Sequence, residues 1–181
     1  TLAYIRVDRY ASMQGEIGLA GIDLLLTDLA GLLREHFPAD TQLARFGDDV
    51  FTALLPGQTP EQCQASLATL LKKVEAHLFD VSGRTAQTTL SIGVAGLSEK
   101  TAKAQEVLDR AHRCADELND GNAIKVFNPA DELAAAANRG NLLAMVQQAL
   151  ENNSFRLLFQ PIISLRGDAH EHYEVLLRLL N

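Results

Sequence analysis

Gly47-Asp48-Asp49 separates two short runs of strand-forming residues, Thr41 to Phe46 and Val50 to Leu55, and this constrains the fold more than any other feature of the chain. A glycine and two aspartates between such runs predict a hairpin, because these residue types accept the backbone of a tight reversal. A hairpin commits the region to antiparallel pairing and puts its turn, with two carboxylates, at an exposed edge. Upstream, Leu2 to Asp8 alternates with strand period, Ala3, Ile5 and Val7 on one face and Leu2, Tyr4, Arg6 and Asp8 on the other. From Ile22 to Phe37, Leu25, Leu26, Leu29, Leu32 and Leu33 recur at helical spacing and Pro38 closes the segment. Thr59-Pro60-Glu61-Gln62 combines a threonine cap, proline at the first helical position and glutamine three residues after the cap. It predicts a helix carrying Leu67, Leu70, Leu71, Val74 and Leu78. Thr88 to Val94 turns Leu90, Ile92 and Val94 inward as a strand, Lys103 to Leu118 is helical, and Ala123 to Phe127 is a last short strand. The order strand, helix, hairpin, helix, strand, helix, strand predicts an α+β domain, a central mostly antiparallel sheet flanked by helices.

That domain is expected to span residues 1–128, with a connector helix over 129–152 and a further segment over 153–181. Asn128-Pro129 starts the connector, which has a weak point at Asn138-Arg139-Gly140. Phe155 to Leu165 and His172 to Leu180 are apolar, strand-like runs on either side of Arg166-Gly167-Asp168. Hydrophobic residues make up 47% of the chain and charged ones 22%, enough apolar surface for a core and too much for a disordered polymer. The formal net charge of −7, with no Lys/Arg stripe, argues against nucleic acid or an anionic membrane as the main partner. Cys63 and Cys114 show no metal spacing and read as reduced thiols, which points to the cytoplasm. No apolar run is long enough to cross a bilayer. His170-Glu171-His172 reads as a solvated turn rather than a metal pair, since no third and fourth ligand stand at recognisable spacing.

Arg45-Phe46-Gly47-Asp48-Asp49-Val50-Phe51 resembles the Arg-Tyr/Phe-Gly-Gly-Asp/Glu-Glu-Phe signature of GGDEF domains. Arg6-Val7-Asp8-Arg9-Tyr10 falls where that family has Asp-x-Asp-x-Phe, and Ser91-Ile92-Gly93-Val94-Ala95 is similar to its Ser-Ile-Gly-Val-Ala strand. Further on, Leu158-Phe159-Gln160-Pro161-Ile162 resembles the strand that opens EAL domains, and Glu174-Val175-Leu176-Leu177-Arg178 stands in the place of Glu-Ala-Leu-Leu-Arg. The resemblance implies a nucleotide-cyclase palm-like fold followed by the first strands of a TIM-like EAL barrel. A GGDEF to EAL tandem with both signatures altered looks most like FimX-type receptors for cyclic di-GMP. That likeness implies a PilZ-type protein partner and a place in type IV pilus-driven twitching motility.

Active GGDEF domains, by the same resemblance, join two GTP molecules with magnesium held by the first-strand aspartate and the hairpin acids. Here Arg6 replaces that aspartate, and a fixed positive charge about 4 Å from a divalent ion is disfavoured by about 8 kcal/mol at an effective dielectric of about 20. Val50 replaces a second acid, Asp48 puts a Cβ and a negative charge where glycine admits triphosphate, and Gln14 replaces a guanine-reading asparagine. Asp49 and Asp23 keep acidic positions. Asp23 also reads as a helix-start acid complementing the helix dipole. Arg6 is expected to pair with Asp49 or Asp48 and so occupy the metal position. No Arg-x-x-Asp product-inhibition motif precedes the hairpin, where Pro38-Ala39-Asp40-Thr41 stands instead. The expectation is a catalytically inactive domain with no catalytic residue, metal or cofactor. An active diguanylate cyclase and a GTP sensor that does not turn over remain open alternatives. In the EAL part the resemblance implies that Gln160, Leu176 and Arg178 contact the dinucleotide, with Glu174 a metal ligand in hydrolytic relatives. Read from the residues alone, Leu176 and Leu177 are core positions of a strand. Residues 153–181 do not complete a barrel pocket, and their apolar run is expected to self-associate or to fold back on the first domain.

Overall fold

The computed structural model describes residues 1–97, 103–151, 154–162 and 172–179. The chain forms two compact units, Thr1–Phe127 and Asn128–Asn181.

In the first unit, β1 (Leu2–Val7) lies at the centre of a five-stranded sheet. The hairpin of β2 (Gln42–Arg45) and β3 (Val50–Leu54) pairs antiparallel on one side of it, β3 innermost. The two shortest strands, β4 (Phe79–Asp80) and β5 (Thr85–Ala86), form a separate hairpin. On the other side of β1 comes β6 (Leu90–Ala95), antiparallel, and then β7 (Ala123–Val126), parallel to β6. The expected α+β order is therefore present, and the mostly antiparallel sheet has one parallel edge pair.

Both faces of the sheet are covered, and strand period decides which residue meets which helix. Ala3, Ile5, Val7, Leu90, Ile92 and Val94 face α1 (Tyr10–His36) and α2 (Pro60–Ala76), where Leu25, Leu29, Leu67 and Leu70 are fully buried. Each such leucine contributes about 2 kcal/mol through the apolar surface it removes from water. Tyr4, Val50 and Ala95 point the other way, against Val107, Ala111 and Ala115 of α3 (Ala104–Asp116). The second layer explains why β6 is buried at every position instead of at alternate ones.

α1 begins twelve residues before the Ile22 start that the leucine spacing predicts. Its first turns carry few apolar residues, Met13 and Ile17, and Gly18 breaks the helical path with φ 73°. Asp23 therefore sits inside the helix, past the break, and is not a helix-start acid. The Thr59 capping box is present: the Thr59 amide donates to Gln62 Oε1 at 2.8 Å and the Gln62 amide to Thr59 Oγ1 at 3.3 Å. α2 ends at Ala76, so Leu78 lies beyond it and is exposed. His77 stops the helix and pairs with Asp28 at 2.9 Å while packing edge-on to Phe79.

The second unit holds α4 (Pro129–Glu151), continuous through Asn138-Arg139-Gly140, and an antiparallel pair, β8 (Phe155–Ile162) and β9 (His172–Leu179). Residues 163–165, Arg166-Gly167-Asp168, His170, Glu171 and Leu180 lie outside the described residues. No described helix is long and apolar enough to cross a membrane.

Candidate functional site

The end of β1 places two residues of opposite charge in successive side-chain positions on one face. Asp8 is buried, and its carboxylate is saturated by donors from two other segments. Thr89 Oγ1 donates to Oδ2 at 2.7 Å, Ser91 Oγ to Oδ1 at 2.6 Å, and the Asn122 amide to Oδ2 at 2.9 Å. A buried carboxylate without such partners would cost several kcal/mol, so this set of donors is what permits the charge. Gly121, at φ 70°, is held against the same carboxylate; a Cβ there would lie 2.8 Å from Oδ2. Asp8 thus ties the loop between α3 and β7 to the central strand.

Arg6 does not pair with Asp48 or Asp49. Its guanidinium donates through NH1 to Asp116 Oδ1 at 2.8 Å and through NH2 to the Leu118 carbonyl at 3.4 Å. The other oxygen of Asp116 takes His112 Nε2 at 3.0 Å, and the His112 ring packs on Tyr4 with centroids 5.0 Å apart. Packing explains the departure from expectation. Arg6 shares its face with Tyr4, the face that α3 covers, and Gly93 lets α3 come unusually close. A Cβ on Gly93 would lie 1.8 Å from the Ala111 carbonyl oxygen. The last turn of α3 therefore delivers Asp116 to Arg6.

The β2–β3 turn is closed by its own chain. Arg45 donates Nε to the Gly47 carbonyl and NH2 to the Asp48 carbonyl, both at 3.1 Å. Val50 is buried against Tyr4, and Phe51 lies in the core beneath α1. Asp49 and Arg6 line one cleft of about 390 Å³ together with Asp8, Arg9 and Tyr10. Burial raises the Tyr10 phenol above its ordinary pKa, the charge of Asp48 adds most to this, Arg45 opposes it, and Asp49 and Asp23 contribute. The charges of Asp48, Asp49 and Asp23 thus all favour the neutral phenol of Tyr10. Gln14 is half-buried one turn along α1 from Tyr10 and does not line the cleft. Asp8, Tyr10, His112 and Asp116 were not among the residues that sequence reasoning selected. Asp8 and Tyr10 left a signal, as the second acid and the aromatic of the Arg6-to-Tyr10 motif match.

In the second unit the register pairs Gln160 with Glu174, Leu158 with Leu176, and Arg156 with Arg178. Directly paired residues share a face, so Gln160, Glu174, Leu176 and Arg178 are collected on one side of the hairpin. The opposite side carries Leu157, Phe159, Tyr173, Val175 and Leu177, all about half exposed or more.

The family model for the diguanylate cyclase GGDEF domain matches residues 1–122. The chain belongs to the GGDEF domain family. A solved structure of the FimX GGDEF domain from Pseudomonas aeruginosa is 61% identical, with a TM-score of 0.66, over 69% of this chain and 78% of that one. A probable diguanylate cyclase of Escherichia coli, DgcE, is 26% identical over 91% of this chain and 15% of its own length. The bifunctional diguanylate cyclase/cyclic di-GMP phosphodiesterase MucR of Pseudomonas aeruginosa is 26% identical over 97% of this chain and 26% of its own length. The chain thus spans about a quarter or less of these two relatives. Within the GGDEF fold, the Arg6–Asp116 pair and the Asp49 side of the cleft meet at the end of the central strand.

Proposed function

We propose that this GGDEF domain is catalytically silent and acts as a regulatory and dimerisation module, joined through residues 129–152 to the opening strands of an EAL domain whose complete form binds cyclic di-GMP. The observation that carries this reading is the 2.8 Å ion pair between Arg6 and Asp116, at the strand position where the family resemblance implies a metal-binding aspartate.

Magnesium is the cofactor implied for active relatives, and the donor set here does not fit it. Asp8 has its oxygens committed to Thr89, Ser91 and Asn122, and Asp116 to Arg6 and His112. That leaves Asp49 and Asp120 as cleft carboxylates without an ion-pair partner among the described residues, in a cleft that Arg6 and Arg9 also line. A hard divalent cation needs several oxygen ligands, and no three acidic, histidine or cysteine side chains gather around one point among the described residues, while Arg6 adds a fixed positive charge to the same cleft.

The EAL reading of residues 153–181 is supported by the two motif matches, by the single face that holds Gln160, Glu174, Leu176 and Arg178, and by a MucR alignment that runs past the GGDEF domain. Val175 in place of alanine favours binding without hydrolysis. By the family resemblance of the sequence, the proposal extends to a cytoplasmic protein of type IV pilus-driven twitching motility with a PilZ-type partner. Self-association is assigned to the apolar side of β8–β9, whose half-exposed Leu157, Phe159 and Val175 favour burial against another chain.

Incubation with GTP and Mg²⁺, followed by chromatography, tests the silent domain: no cyclic di-GMP is expected, and its formation would refute the proposal. Calorimetry with GTP separates the sensor alternative. Binding that disappears in Asp23→Ala would make the domain a GTP receptor.

A further inference from the structure

Arg156 and Arg178 are direct cross-strand partners in the β8–β9 pair. Residues so placed have Cβ atoms about 4.5–5.5 Å apart, and like charges there destabilise the pair. Both side chains are exposed, and no ion pair among the described residues includes either. Arg178 turns NH1 back onto the Leu177 carbonyl at 3.0 Å, which uses one donor of its guanidinium. The repulsion is local and uncompensated. An anion between the two guanidiniums would replace it with charge-assisted contacts from two planar forks.

The neighbours on that face give the anion a context. Next along come Leu158 and Leu176, an apolar step, and then Gln160 and Glu174, about 13 Å from the arginines at strand rise. A ligand that suits this order has a phosphodiester at one end, a flat apolar portion in the middle and hydrogen-bonding edges at the other. Resting on the proposed cyclic di-GMP reading of this segment, we infer that Arg156 and Arg178 together clamp one phosphodiester of the bound dinucleotide. Arg156 is a residue that the family resemblance does not assign.

The test is calorimetry with cyclic di-GMP on the full-length protein, comparing wild type with Arg156→Gln, Arg156→Lys and Arg178→Gln. Loss of one charge-assisted, bidentate contact is expected to weaken binding about tenfold to a hundredfold in Arg156→Gln. Arg156→Lys is expected to recover part of the loss, because charge returns without the fork. The double Gln variant should be little weaker than either single one, since both residues hold the same phosphate. Wild-type affinity in Arg156→Gln, with affinity lost in Arg178→Gln, would overturn the clamp and leave the cyclic di-GMP reading intact. No binding by wild type would overturn both. Hydrogen exchange of the β8 and β9 amides provides the structural control. Without ligand, Arg156→Gln should protect them at least as well as wild type does, because a like-charge pair is gone. Faster exchange accompanying the weaker binding would assign Arg156 to the fold and overturn the clamp.

Discussion

Replacing Asp8 by alanine is expected to destabilise the GGDEF unit severely. The carboxylate accepts three hydrogen bonds, from Thr89 Oγ1, Ser91 Oγ and the Asn122 amide, and these join β1, β6 and the loop before β7. Bonds to a charged acceptor contribute about 1.5–3 kcal/mol each. The Thr89 and Ser91 hydroxyls can rotate toward other acceptors, but the Asn122 amide is fixed by its backbone. Discounting for that rotation, the loss should be about 3–5 kcal/mol, a large part of the stability of a domain this size. In urea unfolding followed by circular dichroism, a slope of about 2 kcal/mol/M would turn this into a midpoint about 2 M lower. Asp8→Asn should also destabilise, because an amide NH₂ or a neutral oxygen then faces donors. A midpoint within 0.5 M of wild type (about 1 kcal/mol on that slope) for Asp8→Ala would refute the view that this carboxylate organises the end of the central strand.

Gly93→Ala should destabilise the same unit by about 3 kcal/mol or more, since the new Cβ would meet the Ala111 carbonyl oxygen at 1.8 Å and α3 would have to move away; thermal unfolding checks it. The displacement should also release Asp116 from Arg6, visible as a changed Arg6 side-chain resonance. Burial lowers the pKa of His36, with its Ser66 hydrogen bond opposing and Lys73 adding, so the unfolded chain binds that proton more readily than the folded one. The associated stability is full above about pH 6.5 and is lost as pH falls below it, and His36→Gln should flatten that part of the pH profile. Sedimentation velocity should show concentration-dependent association that Val175→Lys reduces; a monomer at all concentrations in wild type would contradict assembly through the apolar side of β8–β9.

Local rules carried much of the fold. The Gly47-Asp48-Asp49 turn and the Thr59 capping box are decided by neighbours in sequence, and both stand where those residues predict. The face that unites Gln160 with Glu174 was not legible: the two strand-like runs were, but the register that sets these residues opposite each other is fixed by the pairing itself. The start of α1 was not: Gly15, Gly18 and Gly21 dilute the helical signal, and packing of Met13 and Ile17 on the core holds those turns in place. β4 and β5 are too short for periodicity, although Ser82-Gly83 at positive φ is a hairpin turn in retrospect. The partner of Arg6 was beyond local reasoning altogether. Asp116 lies 110 positions away, and only the close seat of α3 over Gly93 brings it there.

With Arg6 lining it, the cleft beside β1 is proposed to seat no divalent cation. Titration with Mn²⁺ in the presence of GTP, followed by electron paramagnetic resonance of the free ion, measures this directly. No stoichiometric Mn²⁺ site is expected in the wild-type chain. One tightly bound Mn²⁺ per chain, lost in Asp49→Asn, would contradict it.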